Sequence, residues 1–317
     1  MKNLITTLVL IVASFSVFAQ QDPQFSMNMF NLGFINPAYV GHSGYICGTI
    51  LNRQQWMGFE GAPRTRLFSG NMPLDFPDKG KSGIGMNICS DGLGFENNFL
   101  FNGAYSYKFD LGPGRLGLGM SIGLLNKSLK GEWVPPDFLI SDGQTGIFDD
   151  PAIPQDNSFM ALDIGIGAFY GAEDYYIGIS TSHINKAEIK YSGMDTIPFI
   201  ARHYYIIARY FIDLPNRLFE LQPSAFIKTD GPTAQVDINA MLLYNKMFFG
   251  GLSYRFEESI VAIAGTILPM NLKIGLAYDV NIGKMSSYCS GTFEIMLNYC
   301  FTIEKTPDST IYHSVRY

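Results

Sequence analysis

The stretch "NLKIGLAYDV", Asn271 to Val280, alternates apolar residues with polar or small ones along its whole length. Successive side chains of a β-strand point to opposite faces, so this pattern predicts a strand with one apolar face. That face comprises Leu272, Ile274, Leu276, Tyr278 and Val280. The opposite face carries the charged residues Lys273 and Asp279 among small neighbours.

The same period of two recurs along the chain. "RLGLGMSIGL" at Arg115–Leu124 alternates large apolar residues with glycine and serine, and Thr292–Phe301 alternates aromatic or aliphatic residues with polar ones. A further charged residue, Glu294, falls on the polar face of that last segment. We expect Lys273, Asp279 and Glu294 to face the interior of a barrel, because the opposite face of each segment is apolar.

About fourteen segments of this kind can be counted, most of them near the length that a tilted strand needs to cross a bilayer. A closed bacterial barrel has an even number of strands, which agrees with this count. The segments lie near 44–57, 64–75, 82–90, 96–109, 115–128, 157–171, 174–184, 202–214, 217–229, 233–245, 246–256, 259–268, 271–281 and 290–302. The sequence therefore predicts an all-β, antiparallel transmembrane barrel; a secreted β-sandwich, which also alternates, is a weaker reading.

The connections between these segments predict an orientation. The two longest, 129–156 and 184–201, both follow odd-numbered strands, whereas the connections at 171–174 and 245–246 are short. Outer-membrane barrels have long outer loops and short periplasmic turns. This pattern places both chain termini in the periplasm.

Composition and the start of the chain agree with an exported, non-nucleic-acid-binding protein. Of the 317 residues, 16% are charged and 14% aromatic, and the formal net charge of −6 argues against a nucleic-acid partner. A positive residue, Lys2, precedes an apolar run at Leu4–Phe18 and a small residue at Ala19, as in a signal peptide. We expect cleavage after residue 19 and localisation in the outer membrane.

No sequence pattern indicates catalysis, a cofactor or a metal. The sequence "GPGRLG" at 112–117 precedes a strand rather than a helix, which is the wrong context for a dinucleotide site. Ser180 and His183 would project to opposite faces of a regular strand, which argues against them as a nucleophile and base. The aspartates of 142–157 lack the EF-hand spacing, so a solvated loop is expected there rather than a calcium site.

The four cysteines, Cys47, Cys89, Cys289 and Cys300, form no CxxC pair and have no histidine at zinc spacing. Two interpretations stay open. All four are ordinary small strand residues, or two of them form one disulfide in an oxidising compartment.

Four motifs resemble the PorP/SprF family of Bacteroidetes outer-membrane proteins. "QDPQFSMNMFNLGFINPAYVG" at Gln21–Gly41 is similar to its N-terminal signature, most clearly in the run from Asn36 to Tyr39. "RQQWMGFEGAPRT" at Arg53–Thr65 is similar to its Trp-containing corner, and "GLSYRF" at 251–256 and "FEIMLNYCF" at 293–301 resemble its later and final strands. The resemblance covers nearly the whole chain from Gln21 to Phe301.

This resemblance implies a non-enzymatic barrel of about fourteen strands that serves the type IX secretion system, often in connection with gliding motility. Members of the family are thought to hold secreted proteins that carry a C-terminal sorting domain at the cell surface. Some associate with a periplasmic lipoprotein that binds peptidoglycan. The expected partners are therefore such a secreted substrate, such a lipoprotein and outer-membrane lipid.

The chain is thus expected to comprise a signal peptide (1–19), a periplasmic or plug-like N-terminal segment (20–43), the barrel (44–302) and a polar periplasmic tail (303–317). The sequence leaves open whether the N-terminal segment plugs the lumen. We expect the outer loops and the corner near Trp56 to form the rim that binds a partner. The residues assigned to this rim are Trp56, Arg64, Trp133, Phe138 and Tyr191.

An alternative function is transport of hydrophobic small molecules, similar to the fatty-acid channels, which also have about fourteen strands. In that case the N-terminal segment would plug the lumen. A continuous apolar pocket behind the plug and a lateral opening at a strand kink would distinguish such a channel.

Overall fold

The computed structural model describes residues 22–78, 80–129, 157–188 and 200–301. The strands of its wall are β1 Ile46–Gln54, β2 Arg64–Leu74, β3 Ser82–Leu93, β4 Glu96–Leu111, β5 Gly114–Leu129, β6 Asn157–Gly171, β7 Tyr175–Ser182, β8 His203–Tyr210, β9 Ile212–Asp213, β10 Phe219–Thr229, β11 Ala234–Tyr244, β12 Phe248–Arg255, β13 Ser259–Ile267, β14 Leu272–Asn281 and β15 Thr292–Phe301. The wall is one antiparallel sheet in which strands next to each other in sequence pair, except that β8 and β9 both pair with β10, and the last strand pairs with the first.

The wall is a closed barrel of fourteen strands, because the two-residue β9 continues β8 beyond Phe211. This confirms the strand count predicted from the alternating segments. The interruption at Phe211 lies near Pro223 of β10, which has no backbone N–H to donate across the sheet.

The alternation predicted from the sequence is present with the apolar face outward. In β14, Leu276 and Val280 are 44% and 53% exposed, whereas Lys273 and Asp279 are 7% and 1% exposed. A soluble protein would bury the apolar face instead. An outward apolar surface around a polar interior is the arrangement of a membrane barrel. Among the described residues, no helix has the length and apolarity to cross a membrane.

The barrel has two distinct ends. We call the end at which β1 begins and β15 finishes the turn end; short connections such as 111–114 and 244–248 lie there. The opposite end, which we call the loop end, carries the connections 129–157 and 182–203. The two long connections thus leave the same end.

Residues 22–43, which we call the plug segment, run through the interior of the barrel. They include two 3₁₀ turns, Asn28–Phe30 and Pro37–Tyr39, and one α-helical turn, α1, at Leu32–Ile35. Two clusters of buried apolar side chains join the plug segment to the wall, one around Met27 and the other around Tyr39. The lumen is therefore packed with protein.

The plug segment crosses the barrel from one end to the other. Asp22 contacts His203 at the loop end, whereas Val40 accepts a hydrogen bond from Ser106 near the turn end. The described chain thus starts near the loop end and finishes at the turn end. Both termini lie outside the described residues, so their periplasmic location stays a prediction.

A disulfide joins the first and last strands of the wall. Cys47 of β1 and Cys300 of β15 are directly paired in the sheet, and their sulfur atoms are bonded. Cys89 and Cys289 are free thiols. Of the two interpretations left open by the sequence, the structure supports one disulfide.

Candidate functional site

Two arginines and three carboxylates form a network at the loop end of the lumen, which we call the arginine network. Arg53 lies 2.9 Å from Asp279 and 3.1 Å from Glu294, and Arg255 lies 3.0 Å from Asp279 and 3.1 Å from Asp237. All five side chains are at most 1% exposed. Charges removed from water are tolerated only when they are paired and hydrogen-bonded, as these are.

The plug segment completes this network. The backbone N–H groups of Ser26 and Met27 donate to the two carboxylate oxygens of Glu294, each over 2.8 Å. The hydroxyl of Ser26 donates to Asp279 and accepts from Arg53, both over 2.7 Å. The wall charges therefore hold the plug segment in place as well as one another.

A second polar cluster surrounds the start of the plug segment. The carboxylate of Asp22 lies 2.9 Å from Nε2 of His183, and it accepts hydrogen bonds from the hydroxyls of Ser182 and Tyr205. Nδ1 of His183 lies 2.6 Å from Asp163. We call Asp22, Asp163, Ser182, His183, His203 and Tyr205 the Asp22 cluster.

The charges of the Asp22 cluster favour an ion pair. Burial would lower the pKa of His183, but the neighbouring carboxylates of Asp22 and Asp163 outweigh it and raise the pKa to about 10. Burial would likewise raise the pKa of Asp22, yet the adjacent His183 and His203 hold it well below its ordinary value. Asp22 is therefore a carboxylate and His183 an imidazolium at neutral pH.

The Asn36-Pro37-Ala38 corner sits tightly against the wall. The Asn36 amide donates to the backbone carbonyls of Ala168 and Ile179, over 3.0 and 3.2 Å, and its oxygen accepts from the N–H of Ala38. A Cβ placed on Gly119 would lie 2.5 Å from the backbone of Ala38. The plug segment can thus lie against β5 because the residues on the inward face of that strand are small.

Near the turn end, His42 is buried and sits edge-on to Phe169, with 4.9 Å between ring centroids. Neither ring nitrogen has a hydrogen-bond partner among the described residues. Burial, together with the charges of Lys108 and Arg115, lowers the pKa of His42 to about 3. This histidine is therefore neutral at physiological pH.

Among the described residues, small cavities lie between the plug segment and the wall. One of about 80 Å³ lies beside Asp22, His183 and Leu125, and one of about 50 Å³ lies beside Phe30 and Lys273. Pockets for drug-sized ligands have volumes of about 300–1,000 Å³. Both cavities are far smaller than that.

The lumen-facing prediction can be compared with the observed positions. Lys273, Asp279 and Glu294 all point into the barrel, where Lys273 stacks 5.9 Å from the centre of the Phe30 ring. Asp279 and Glu294 belong to the arginine network. Strand alternation alone does not predict that they contact the plug segment.

Of the five predicted rim residues, the structure describes two. Trp56, at a positive φ of 51°, is half-buried just beyond β1. Its backbone N–H donates to the hydroxyl of Thr292 over 3.1 Å. Arg64 begins β2 with an exposed side chain. Trp133, Phe138 and Tyr191 lie outside the described residues, as does the acidic loop at 142–156.

The loop-end rim also exposes aromatic residues that are not among the predicted rim residues. Phe59, Phe95 and Tyr288 are 47%, 47% and 70% exposed, and all three lie in connections at that end. Backbone hydrogen bonds fix their surroundings: Gly94 donates to Gly61, and Met57 donates to Gly291.

The expectation that Ser180 and His183 point to opposite faces is wrong. The chain leaves strand geometry after Ser182, and His183 has a positive φ of 55°. This turn brings the imidazole inward, next to Asp22, while the Ser180 hydroxyl donates to Ile35 over 2.7 Å. Both side chains therefore face the plug segment.

Many solved structures are similar to this chain, and three of them are described below. The CymD monoaromatic hydrocarbon channel has a TM-score of 0.49 at 11% identity, covering 88% of this chain and 94% of that chain. A Pseudomonas aeruginosa FadL homologue has a TM-score of 0.47 at 10% identity, with the same coverage. Omp33 of Acinetobacter baumannii has a TM-score of 0.44 at 8% identity, covering 82% of this chain and 100% of that chain.

Among curated proteins, none matches the chain significantly. The family described as "Type IX secretion system membrane protein PorP/SprF" matches residues 17–299. The match includes the plug segment and all strands of the wall except the last two residues of β15. The chain therefore belongs to the PorP/SprF family, and it is an outer-membrane β-barrel of the type IX secretion system.

Proposed function

We propose that this barrel anchors a type IX secretion substrate at the cell surface, or assists its export, without catalysing a reaction. The observation that supports this most strongly is the packed lumen. Because the plug segment fills the barrel and is hydrogen-bonded to buried, ion-paired residues of the wall, the surface free to bind a large partner is the rim.

The loop end is the rim that faces the cell exterior in this proposal. It carries the long connections, which in outer-membrane barrels are extracellular. Exposed aromatic residues are enriched in protein interfaces, and Phe59, Phe95 and Tyr288 supply them at this end. The substrate is a secreted protein with a C-terminal sorting domain, in some species linked to gliding motility.

The turn end faces the periplasm in the same proposal. It is the end at which the first strand, β1, begins and the last strand, β15, finishes. A peptidoglycan-binding lipoprotein bound there would connect the barrel to the cell wall. Such a connection would resist force on the surface protein.

The test is gentle extraction of the tagged barrel from outer membranes, followed by identification of what stays bound. We expect a large secreted protein with a type IX sorting domain to bind the wild type but not a Phe59→Ala, Phe95→Ala, Tyr288→Ala triple variant. The matched control is Phe76→Ala, which removes an 80% exposed aromatic residue at the turn end. Equal recovery of the substrate with all three proteins would refute the rim as the binding surface.

A second candidate function is transport of apolar molecules. The break between β8 and β9, beside Pro223, is the kind of wall interruption that a lateral opening would require. The small cavities favour the anchor over this channel, because neither can hold a long hydrocarbon chain without movement of the plug segment. Extraction that yields a bound lipid-like molecule and no protein partner would favour the channel.

A further inference from the structure

Three side chains that can bind a metal converge at the loop end of the lumen. Asp22 comes from the plug segment, His183 follows β7, and His203 begins β8. One donor atom from each of the three can be chosen so that all lie within 4.8 Å of one another. The three residues come from separate parts of the chain, so no spacing rule in the sequence reveals them.

The outer neighbours of both imidazoles orient them for coordination. Nδ1 of His183 lies 2.6 Å from the carboxylate of Asp163, and Nδ1 of His203 lies 3.1 Å from the carbonyl of Ala201. Histidines that bind metals almost always donate their second nitrogen to a carboxylate or a carbonyl in this way. The Nε2 atom of His183 is thereby directed towards the Asp22 carboxylate, 2.9 Å away. Nε2 of His203 faces the backbone N–H of Asp22 over 3.2 Å, and Nδ1 of His203 lies 3.6 Å from the Asp22 carboxylate.

We propose that Asp22, His183 and His203 form a binding site for a divalent transition metal of the zinc class. Two imidazole nitrogens and one carboxylate oxygen suit zinc, whereas calcium and magnesium prefer oxygen ligands alone. This site goes beyond the proposed function and does not depend on it.

Space for a fourth ligand is present. The cavity of about 80 Å³ is lined by Asp22, His183 and His203 themselves, together with Tyr205. A water molecule needs only about 10–15 Å³ of such volume. A water, or the Tyr205 hydroxyl, can therefore complete a tetrahedral set.

Metal binding exchanges one set of contacts for another. Nε2 of His183 turns from the Asp22 contact to the metal, while Nδ1 keeps its contact with Asp163. Nε2 of His203 exchanges the N–H of Asp22 for the metal. The Asp22 carboxylate keeps its hydrogen bonds from Ser182 and Tyr205. The ion would fasten the start of the plug segment to β7 and β8.

The test uses the full-length barrel in detergent, purified without a polyhistidine tag, stripped with a chelator and dialysed against Zn²⁺. We expect one zinc per chain by elemental mass spectrometry. His183→Gln, His203→Gln and Asp22→Asn should each weaken zinc binding at least about tenfold. His42→Gln and His313→Gln, which change histidines elsewhere in the chain, should bind zinc as the wild type does.

Heat-shifted migration on a gel establishes that each variant is folded. If a histidine variant does not fold, Asp22→Asn decides the matter, because Asp22 lies on the plug segment and not in the wall. The absence of zinc from the folded wild type would overturn the proposal. So would equal zinc content in the wild type and in Asp22→Asn, since that result means an adventitious ion only.

Discussion

The guanidinium of Arg53 lies 2.9 Å from the carboxylate of Asp279 inside the barrel, although 226 positions separate them in the sequence. Each also contacts Ser26 of the plug segment. This ion pair thus links β1 to β14 across the barrel seam and also holds the plug segment. Its removal should affect both properties together.

Substitution of Arg53 by Met should loosen the plug segment. Removing one partner of a buried ion pair costs about 3–5 kcal/mol, because the remaining charge stays buried. We expect a lower unfolding temperature and cleavage of the plug segment by added protease. Arg66→Met is the control, since Arg66 is an exposed arginine on the neighbouring strand. An unchanged unfolding temperature in Arg53→Met would contradict this role.

Deletion of residues 22–41 should open the lumen. The plug segment fills the interior of the barrel, so the intact protein should conduct ions poorly in a planar bilayer. The deleted protein should show large, steady conductance. Equal conductance of the two proteins would mean that the segment does not block the barrel in a membrane.

Substitution of Gly119 by Ala should displace the plug segment at its Pro37–Ala38 corner. A methyl group there would meet backbone atoms, which cannot rotate away, and such overpacking costs about 1–3 kcal/mol. Gly103→Ala is the matched control, because its added methyl group would have no neighbour closer than 4.0 Å. Thermal unfolding in detergent compares the two, and equal midpoints would argue against this close approach.

The disulfide should determine how many cysteines an alkylating reagent can modify. Denatured, non-reduced protein should react with two equivalents of an alkylating reagent, at Cys89 and Cys289, and reduced protein with four. Mass spectrometry should find Cys47 and Cys300 in one linked peptide. Four reactive thiols without reduction would show that β1 and β15 are joined by hydrogen bonds alone.

His42 should make the barrel less stable in mild acid. Its pKa is about 3 in the folded protein and about 6.5 when unfolded, so the folded state binds fewer protons. Its contribution to stability is complete above pH 6.5 and is lost as the pH falls from there towards 3. The slope approaches about 1.4 kcal/mol per pH unit within that window. His42→Leu should flatten the fall in unfolding temperature between pH 7 and pH 5, and an unchanged slope would refute the assignment.

The strands of the wall can be predicted from the sequence because the alternation that indicates them lies within short, continuous segments. Alternation in segments such as Asn271–Val280 reports the two environments on the two sides of each strand, and a closed sheet repeats that signal in every strand. Lys273, Asp279 and Glu294 could be assigned to the interior for the same reason. The two-residue β9 was not distinguished, since the break at Phe211 depends on its neighbour Pro223.

The interior was much less predictable. Contacts such as Asp22 with His183 and Cys47 with Cys300 join residues that are far apart in sequence, and they exist only once the barrel has closed. The position of His183 also depends on a positive φ that ends the alternation of β7. Sequence periodicity assumes regular strand geometry, so it placed this imidazole on the wrong face.

Photo-crosslinking in living cells from a single position of the loop-end rim tests whether the barrel holds its substrate there. A photoreactive amino acid at Tyr288, which is 70% exposed, should capture a secreted protein with a type IX sorting domain. The same amino acid at Phe76, at the turn end, should not capture that protein. Capture from Phe76 but not from Tyr288, or from neither position, would contradict a barrel that holds its substrate at the loop-end rim.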